Sequence, residues 1–276
     1  MGYPLSGGDH WGPVDREHVA KLRQLFPAKT DEQAFALLQG LSDSVRERES
    51  AINFMFRERA VLNANLERWC RQGKPEDLPA QREAAARIQR CWAKEDSVRG
   101  VPYELILDDL ALNDLPPLGA YFGHVKLLSL KNNRLETIPT SFFRCFPQLR
   151  RAFFNGNHLQ RLPVGLAQLG YLSLLNLSNN RLKLQLGDVI LLAEMTSLVT
   201  LDLSANPLRL GQRLKLHGLK KLRVLNLRNT QIESLPLGAA ILRSLEVFDL
   251  RDNRISILTS LDLFIYPNVH RAMNLQ

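Results

Sequence analysis

Apolar residues recur along residues 125–255 in one phrase, LxxLxLxxNxL, whose copies begin at Val125, Leu149, Leu172, Leu198, Leu222 and Leu245, a period of 23 to 26 residues. Within a copy, pairs such as Leu128 and Leu130, Leu175 and Leu177, or Leu201 and Leu203 alternate with other residues. That spacing predicts a short strand with alternate side chains buried. The Asn that follows, at Asn133, Asn157, Asn180, Asn206 and Asn253, carries both donors and an acceptor. It is suited to satisfying backbone groups where the chain turns out of the strand. Thr230 breaks this column, as does Leu110 in a degenerate leading copy, so the ladder is expected to be weakest there. A second apolar pair and a proline then recur, as Leu135, Ile138 and Pro139, Leu159, Leu162 and Pro163, or Ile232, Leu235 and Pro236. Proline at that point stops strand continuation. One unit has nothing to bury its apolar residues against until a neighbour covers it, so the units must stack.

These units read as a leucine-rich-repeat array: an α/β solenoid with parallel strands on the concave face, preceded by an α-helical capping module. Ahead of the repeats the apolar spacing becomes three-and-four, which predicts helices over 14–26, 31–41, 44–71 and 80–93, with Thr30 capping the second. The third aligns Ile52, Met55, Phe56, Leu62, Leu66 and Trp69, and Gly73, Pro75 and Pro79 are read as ending it; the fourth aligns Ala84, Ile88, Cys91 and Trp92. Trp69 and Trp92 are expected to pack the helices and cover the first repeat. The expected organisation is a flexible terminus over 1–13, a helical module over 14–101 and a solenoid over 102–276. Met273, Asn274 and Leu275 read as the strand of a further, interrupted repeat.

Charge adds a direction. Of the formal net +8, residues 1–101 carry 16 basic against 15 acidic side chains, and residues 102–276 carry 20 against 13. A basic repeat surface favours acidic partners. Nucleic acid is the weakest such partner, because no zinc finger, RNP-like motif or basic helix is present. Cys70, Cys91 and Cys145 are too few and too scattered for a disulfide framework or a metal site, which points to a reducing compartment. No apolar run is long enough for a transmembrane segment, and no signal peptide is legible. That leaves secretion of a bacterial protein without a cleaved signal, or a cytoplasmic location. The start MGYPLS matches the short N-myristoylation pattern at Gly2 and Ser6.

No catalytic constellation emerges. P-loop, GxSxG, HExxH and CxxC motifs are missing, and the six histidines are dispersed and read as surface or turn residues. Asp108 and Asp109 read as an exposed turn. No cofactor is implied. Binding is the expected activity, and the solvent positions of the strands fall into columns. One runs Leu127, Arg151, Leu174, Thr200, Val224, Val247, and the next runs Ser129, Phe153, Asn176, Asp202, Asn226, Asp249. Phe153 is the candidate anchor for a protein partner, with Leu127, Arg151, Leu174 and Asn176 around it. A third column, which includes Lys131, Arg228 and Arg251, supplies charge at both ends to orient an acidic partner.

The order of parts resembles the repeat region of bacterial effector or toxin proteins that end in a NEL-type E3 ubiquitin ligase domain. The likeness is carried by LRQLFP at Leu22 to Pro27, RERESA at Arg46 to Ala51, LERW at Leu66 to Trp69 and AARIQRCW at Ala85 to Trp92, ahead of repeats with LP exits. The resemblance implies that the repeats recognise substrate proteins and hold a ligase domain inactive until a target binds. It also implies a catalytic cysteine in a CxD motif within that later domain. Cys70, Cys91 and Cys145 read CRQ, CWA and CFP, so this polypeptide is expected to lack the enzyme part. A stand-alone scaffold or adaptor is the alternative.

Overall fold

The computed structural model describes residues 11–95, 103–208, 214, 216–236, 239 and 242–255, with the backbone of 273–274. The myristoylation pattern at Gly2 and Ser6, and most of the terminus expected to be flexible, lie outside them.

Four helices come first: α1 (Pro13–Leu25), α2 (Asp31–Gln39), α3 (Val45–Gln72) and α4 (Leu78–Trp92). Thr30 caps α2 as expected, its hydroxyl accepting from the Gln33 N–H while the Gln33 side chain accepts from the Thr30 N–H. The third helix follows its apolar stripe, burying Ile52, Leu62, Leu66 and Trp69. Pro79 does not terminate α3. It sits in the first turn of α4, where a missing N–H costs nothing.

Beyond the helices, eight strands among the described residues pair in parallel and in sequence order: β1 (Tyr103–Ile106), β2 (Val125–Ser129), β3 (Arg151–Phe153), β4 (Leu174–Asn176), β5 (Thr200–Asp202), β6 (Val224–Asn226), β7 (Val247–Asp249) and β8 (Met273–Asn274). The register aligns Leu128, Ala152, Leu175, Leu201, Leu225 and Phe248 into one fully buried row. Short helices α5 (Thr140–Phe143) and α6 (Leu186–Glu194) and a 3-10 turn (Val164–Gln168) form the opposite layer. Phe122, Phe142, Phe143, Phe146 and Phe154 fill the space between layers near β3, with neighbouring ring centroids 5.3–6.4 Å apart.

The asparagine ladder forms. In Asn180, Oδ1 accepts from Leu159 N at 3.0 Å, while Nδ2 donates to the Phe154 and Leu177 carbonyls at 3.0 Å, tying two repeats together. Asn133, Asn157, Asn206 and Asn253 repeat the arrangement. At Thr230 the hydroxyl lies 2.7 Å from its own repeat's Leu227 O and 3.0 Å from Oδ1 of Asn253 in the following repeat, and among the described residues it makes no bond to the preceding repeat's Leu203 carbonyl. The residue before each ladder position takes a left-handed backbone: Asp109, Asn132, Gly156, Asn179, Ala205, Asn229 and Asp252. Asn, Asp and Gly tolerate that conformation; Ala205 does so at a cost.

The helices cover the first repeat through polar bonds made across the junction. Trp69 Nε1 donates to Asp114 Oδ1 at 2.9 Å, Tyr121 N donates to Glu58 Oε1 at 2.7 Å, and His124 Nε2 lies 2.9 Å from Cys91 O. Trp92 stacks on Phe26 and also donates to Glu58.

Candidate functional site

One face of the sheet packs against the helical layer, so the alternate side chains of every strand form the opposite, open face. Register places Glu104, Leu127, Arg151, Leu174, Thr200, Val224 and Val247 in one row. Ile106, Ser129, Phe153, Asn176, Asp202, Asn226 and Asp249 form the next. The expected columns therefore exist, and Arg151, Phe153, Leu174 and Asn176 are adjacent on them, each half-buried.

Leu127 departs from expectation: it is only 8% exposed. Its register neighbours explain why. Arg151 Nη2 meets Glu104 Oε1 at 3.2 Å, and since these residues flank Leu127 on β3 and β1, their ion pair passes over it. Leu127 thus supports the bridge from below and offers a partner no surface.

The four expected cations also have acids of their own. Arg228 pairs with Asp252 at 2.6 Å and Arg251 with Asp249 at 2.6 Å, which holds the Asp249 carboxyl below its ordinary range. Lys131 is held least closely, with Nζ 3.9 Å from Asp108 Oδ2. The same ammonium lies 4.6 Å from the centroid of the Phe153 ring, a cation–π contact worth about 0.5–1 kcal/mol at such a site. The half-buried aromatic is therefore covered by this chain's own lysine.

Hydrogen bonding divides the second row in two. From β4 to β7 each residue is Asn or Asp and accepts from the N–H two positions on: Asn176 from Ser178 at 2.9 Å, Asp202 from Ser204 at 2.9 Å, Asn226 from Arg228 at 3.0 Å and Asp249 from Arg251 at 3.1 Å. These are local turns of the kind short amide and carboxylate side chains favour. Ser129 and Phe153 do not follow the rule, and the Lys131 N–H is served by Asp108 in the turn after β1 instead. Ser129 and Asn155 were not singled out from the sequence, although the change from Asn and Asp to Ser and Phe along the row was there to be read.

Elsewhere the polar residues have structural work. Asp108 and Asp109 accept from Lys131 N and Asn132 Nδ2, so the pair is a turn as expected. Two histidines are not surface residues: His18 is 3% exposed on α1, and His124 lies mostly buried at the helix–repeat junction, where burial lowers its pKa to about 4. Both correct the sequence reading; for His124 the enclosing groups, Cys91 of α4 and Tyr103 of β1, stand on elements distant from it in the chain. Burial raises the pKa of Cys70 and Cys145, which leaves them protonated and poor nucleophiles. Among the described residues no group of three or more His, Cys, Asp or Glu is placed to hold a metal ion, and no helix is long and apolar enough to cross a membrane.

The family model for leucine-rich repeats matches residues 123–182, and a two-copy leucine-rich-repeat model matches residues 220–263. The chain carries a leucine-rich-repeat region with a helical module ahead of it. No curated protein matches the chain. Among solved structures, a leucine-rich-repeat protein of Leptospira interrogans is 25% identical, with 60% of this chain and 46% of that one covered and a TM-score of 0.46. An internalin from Listeria monocytogenes is 21% identical over 51% of this chain and 39% of its own, with a TM-score of 0.42. The leucine-rich-repeat ectodomain of the receptor kinase GASSHO1/SCHENGEN3 from Arabidopsis thaliana, solved in complex with Casparian strip integrity factor 2, is 27% identical over 48% and 16%, with a TM-score of 0.36. The chain spans less than half the length of each.

Proposed function

We propose that this chain is a protein-recognition module that takes its partner on the open, concave face of the sheet, at β2 to β4. The observation that carries this reading is the half-buried Phe153, beside the Arg151–Leu174 register pair and without the local hydrogen bonding that organises its row from β4 to β7. Aromatic and arginine side chains at the centre of such a patch are the usual anchors of binding energy. Arg228 and Arg251 would orient the far end of an acidic partner. The experiment is capture of interacting proteins by the intact chain and by a Phe153→Ala, Arg151→Glu double variant. Capture should fall with little change in melting temperature, and equal capture by the double variant would refute the site.

Residues 14–101 are read as the cap of the solenoid. The helical phrases LRQLFP, RERESA, LERW and AARIQRCW support a finer reading. In it, this is the substrate-binding region of a bacterial effector of the NEL ubiquitin-ligase type, secreted to act in a host cell, with catalysis in a further domain. Leucine-rich repeats are typically non-enzymatic, in keeping with a binding role for this portion. Intact-mass measurement of the native gene product tests the link. A mass well above 31.4 kDa, with a CxD cysteine in the additional sequence, is the expected result; a mass equal to this chain's would remove the ligase reading and favour a scaffold.

A further inference from the structure

The break in the second row has a counterpart in buried polar groups. Ser129 is 2% exposed, yet its Oγ has no hydrogen-bond partner, and the buried Oδ1 of Asn155 has none either. Ser129 is the register neighbour of Phe153, and Asn155 lies two residues beyond it in the chain. Strands in register sit roughly 4.8 Å apart, so Ser129 and Phe153 project side by side on the open face. Over the Phe153 ring lies the Lys131 ammonium, 4.6 Å from its centroid. A buried polar atom without a partner is costly and rare, and two so close to Phe153, one in register and one in sequence, call for an explanation. Apart from this cluster, the row is self-satisfied from β4 to β7.

We propose that Lys131 and Phe153 form a gate over a recognition pocket floored by Ser129 and Asn155, and that a carboxylate on an extended acidic protein segment opens it by drawing the Lys131 ammonium off the ring. This rests on the concave-face reading and names the chemistry of the partner. Lys131 is the cation suited to the task, because its own acid stands 3.9 Å away while Arg151, Arg228 and Arg251 have partners at 3.2 Å or closer. The repeats' excess of 20 basic over 13 acidic residues favours an acidic segment. Once Lys131 leaves, Phe153 is free to turn and accept an apolar side chain. Asn155 Oδ1 then receives a backbone N–H of the segment, and Ser129 Oγ donates to one of its carbonyls. Specificity follows from the carboxylate, since a segment without one leaves Lys131 on the ring and the floor unpaired.

The experiment uses the intact chain, isotopically labelled for NMR, and two capped pentapeptides, Glu-Leu-Glu-Leu-Glu and its lysine counterpart Lys-Leu-Lys-Leu-Lys. In the free protein the Lys131 Hε protons should resonate upfield, shielded by the Phe153 ring. The glutamate peptide should abolish that shielding and shift the Asn155 side-chain amide; the lysine peptide should do neither. Lys131→Gln and Lys131→Met should each weaken the glutamate peptide by about ten-fold, and Arg251→Gln by less than about two-fold. Equal affinity for both peptides, binding that leaves Lys131 and Asn155 unmoved, or no binding up to about 1 mM would overturn the gate. Failure of the recognition reading looks different. If captured partners depend on Phe153 and Arg151 but ignore Lys131, recognition stands and the gate falls; if the peptide opens the gate while captured partners ignore the double variant, the reverse holds.

Discussion

Single residues set the pitch of this solenoid through two backbone demands, a ladder amide and a left-handed residue before it. Removing Asn180 strands Leu159 N and the Phe154 and Leu177 carbonyls in the interior. Asn180→Ala should therefore cost about 3 kcal/mol in chemical denaturation, and Thr230→Ala, which loses a single hydroxyl that meets Leu227 O and Asn253 Oδ1 and does not reach the preceding repeat, only about 1 kcal/mol. Equal costs would mean the ladder does not couple repeats. Gly156 and Ala205 occupy equivalent left-handed positions, with φ of +71° and +52°. A Cβ at Gly156 would stand 2.3 Å from Asn132 Oδ1, so Gly156→Ala should destabilise by about 1–2 kcal/mol or more. Ala205→Gly should stabilise by about 0.5–1 kcal/mol, strain relief outweighing added chain entropy. A melting series reads both signs. The ladder was legible in the sequence because its amide recurs at a fixed offset. The gate was not: whether Phe153 is bare depends on where the Lys131 ammonium settles, and whether Leu127 is open depends on an ion pair between two other strands.

At the scale of elements, helix positions followed from apolar spacing, and the errors lie at junctions. Pro79 was read as a stop when it opens α4, since a proline marks both kinds of boundary. His124 was read as a surface or turn residue, but it sits between α4 and β2, with Nε2 2.9 Å from Cys91 O and the ring edge-on to Tyr103 at 5.0 Å. Burial there, aided by Lys94 and Lys126, lowers its pKa to about 4, while an unfolded histidine titrates near its usual 6.5. Between those values the unfolded chain binds the extra proton and the folded chain does not, so stability falls as pH drops from about 6.5 to about 4 and then levels off. The loss from this one group is about 3 kcal/mol. Urea titrations at pH 7 and near pH 4.5 should show the decline. His124→Gln keeps a side-chain donor without the titration and should flatten this part of the slope, and an unchanged slope would place the acid sensitivity elsewhere.

For the whole molecule the question is whether helices and repeats unfold as one body. A repeat array propagates stability between nearest neighbours, so its first unit depends on whatever covers it. Here the cover is bonded in: Trp69 to Asp114, Glu58 to the Tyr121 backbone, Cys91 to His124, and Asp77 to Asn113 at 2.9 Å, all between the helical module and the leading repeats. One apolar core also runs from the helices through the strands without interruption. The sequence supplies its own reporters, because Trp11, Trp69 and Trp92 all precede the repeats while every strand among the described residues belongs to the solenoid. Tryptophan fluorescence therefore follows the cap, and the strand contribution to far-ultraviolet circular dichroism follows the array. Their urea transitions should coincide if the cap and array form one cooperative unit. Trp69→Phe, which removes the bond to Asp114 but keeps an aromatic ring, should move both midpoints down together. Two separated transitions, or a shift confined to fluorescence, would show instead that the helical module rides on an array able to stand without it.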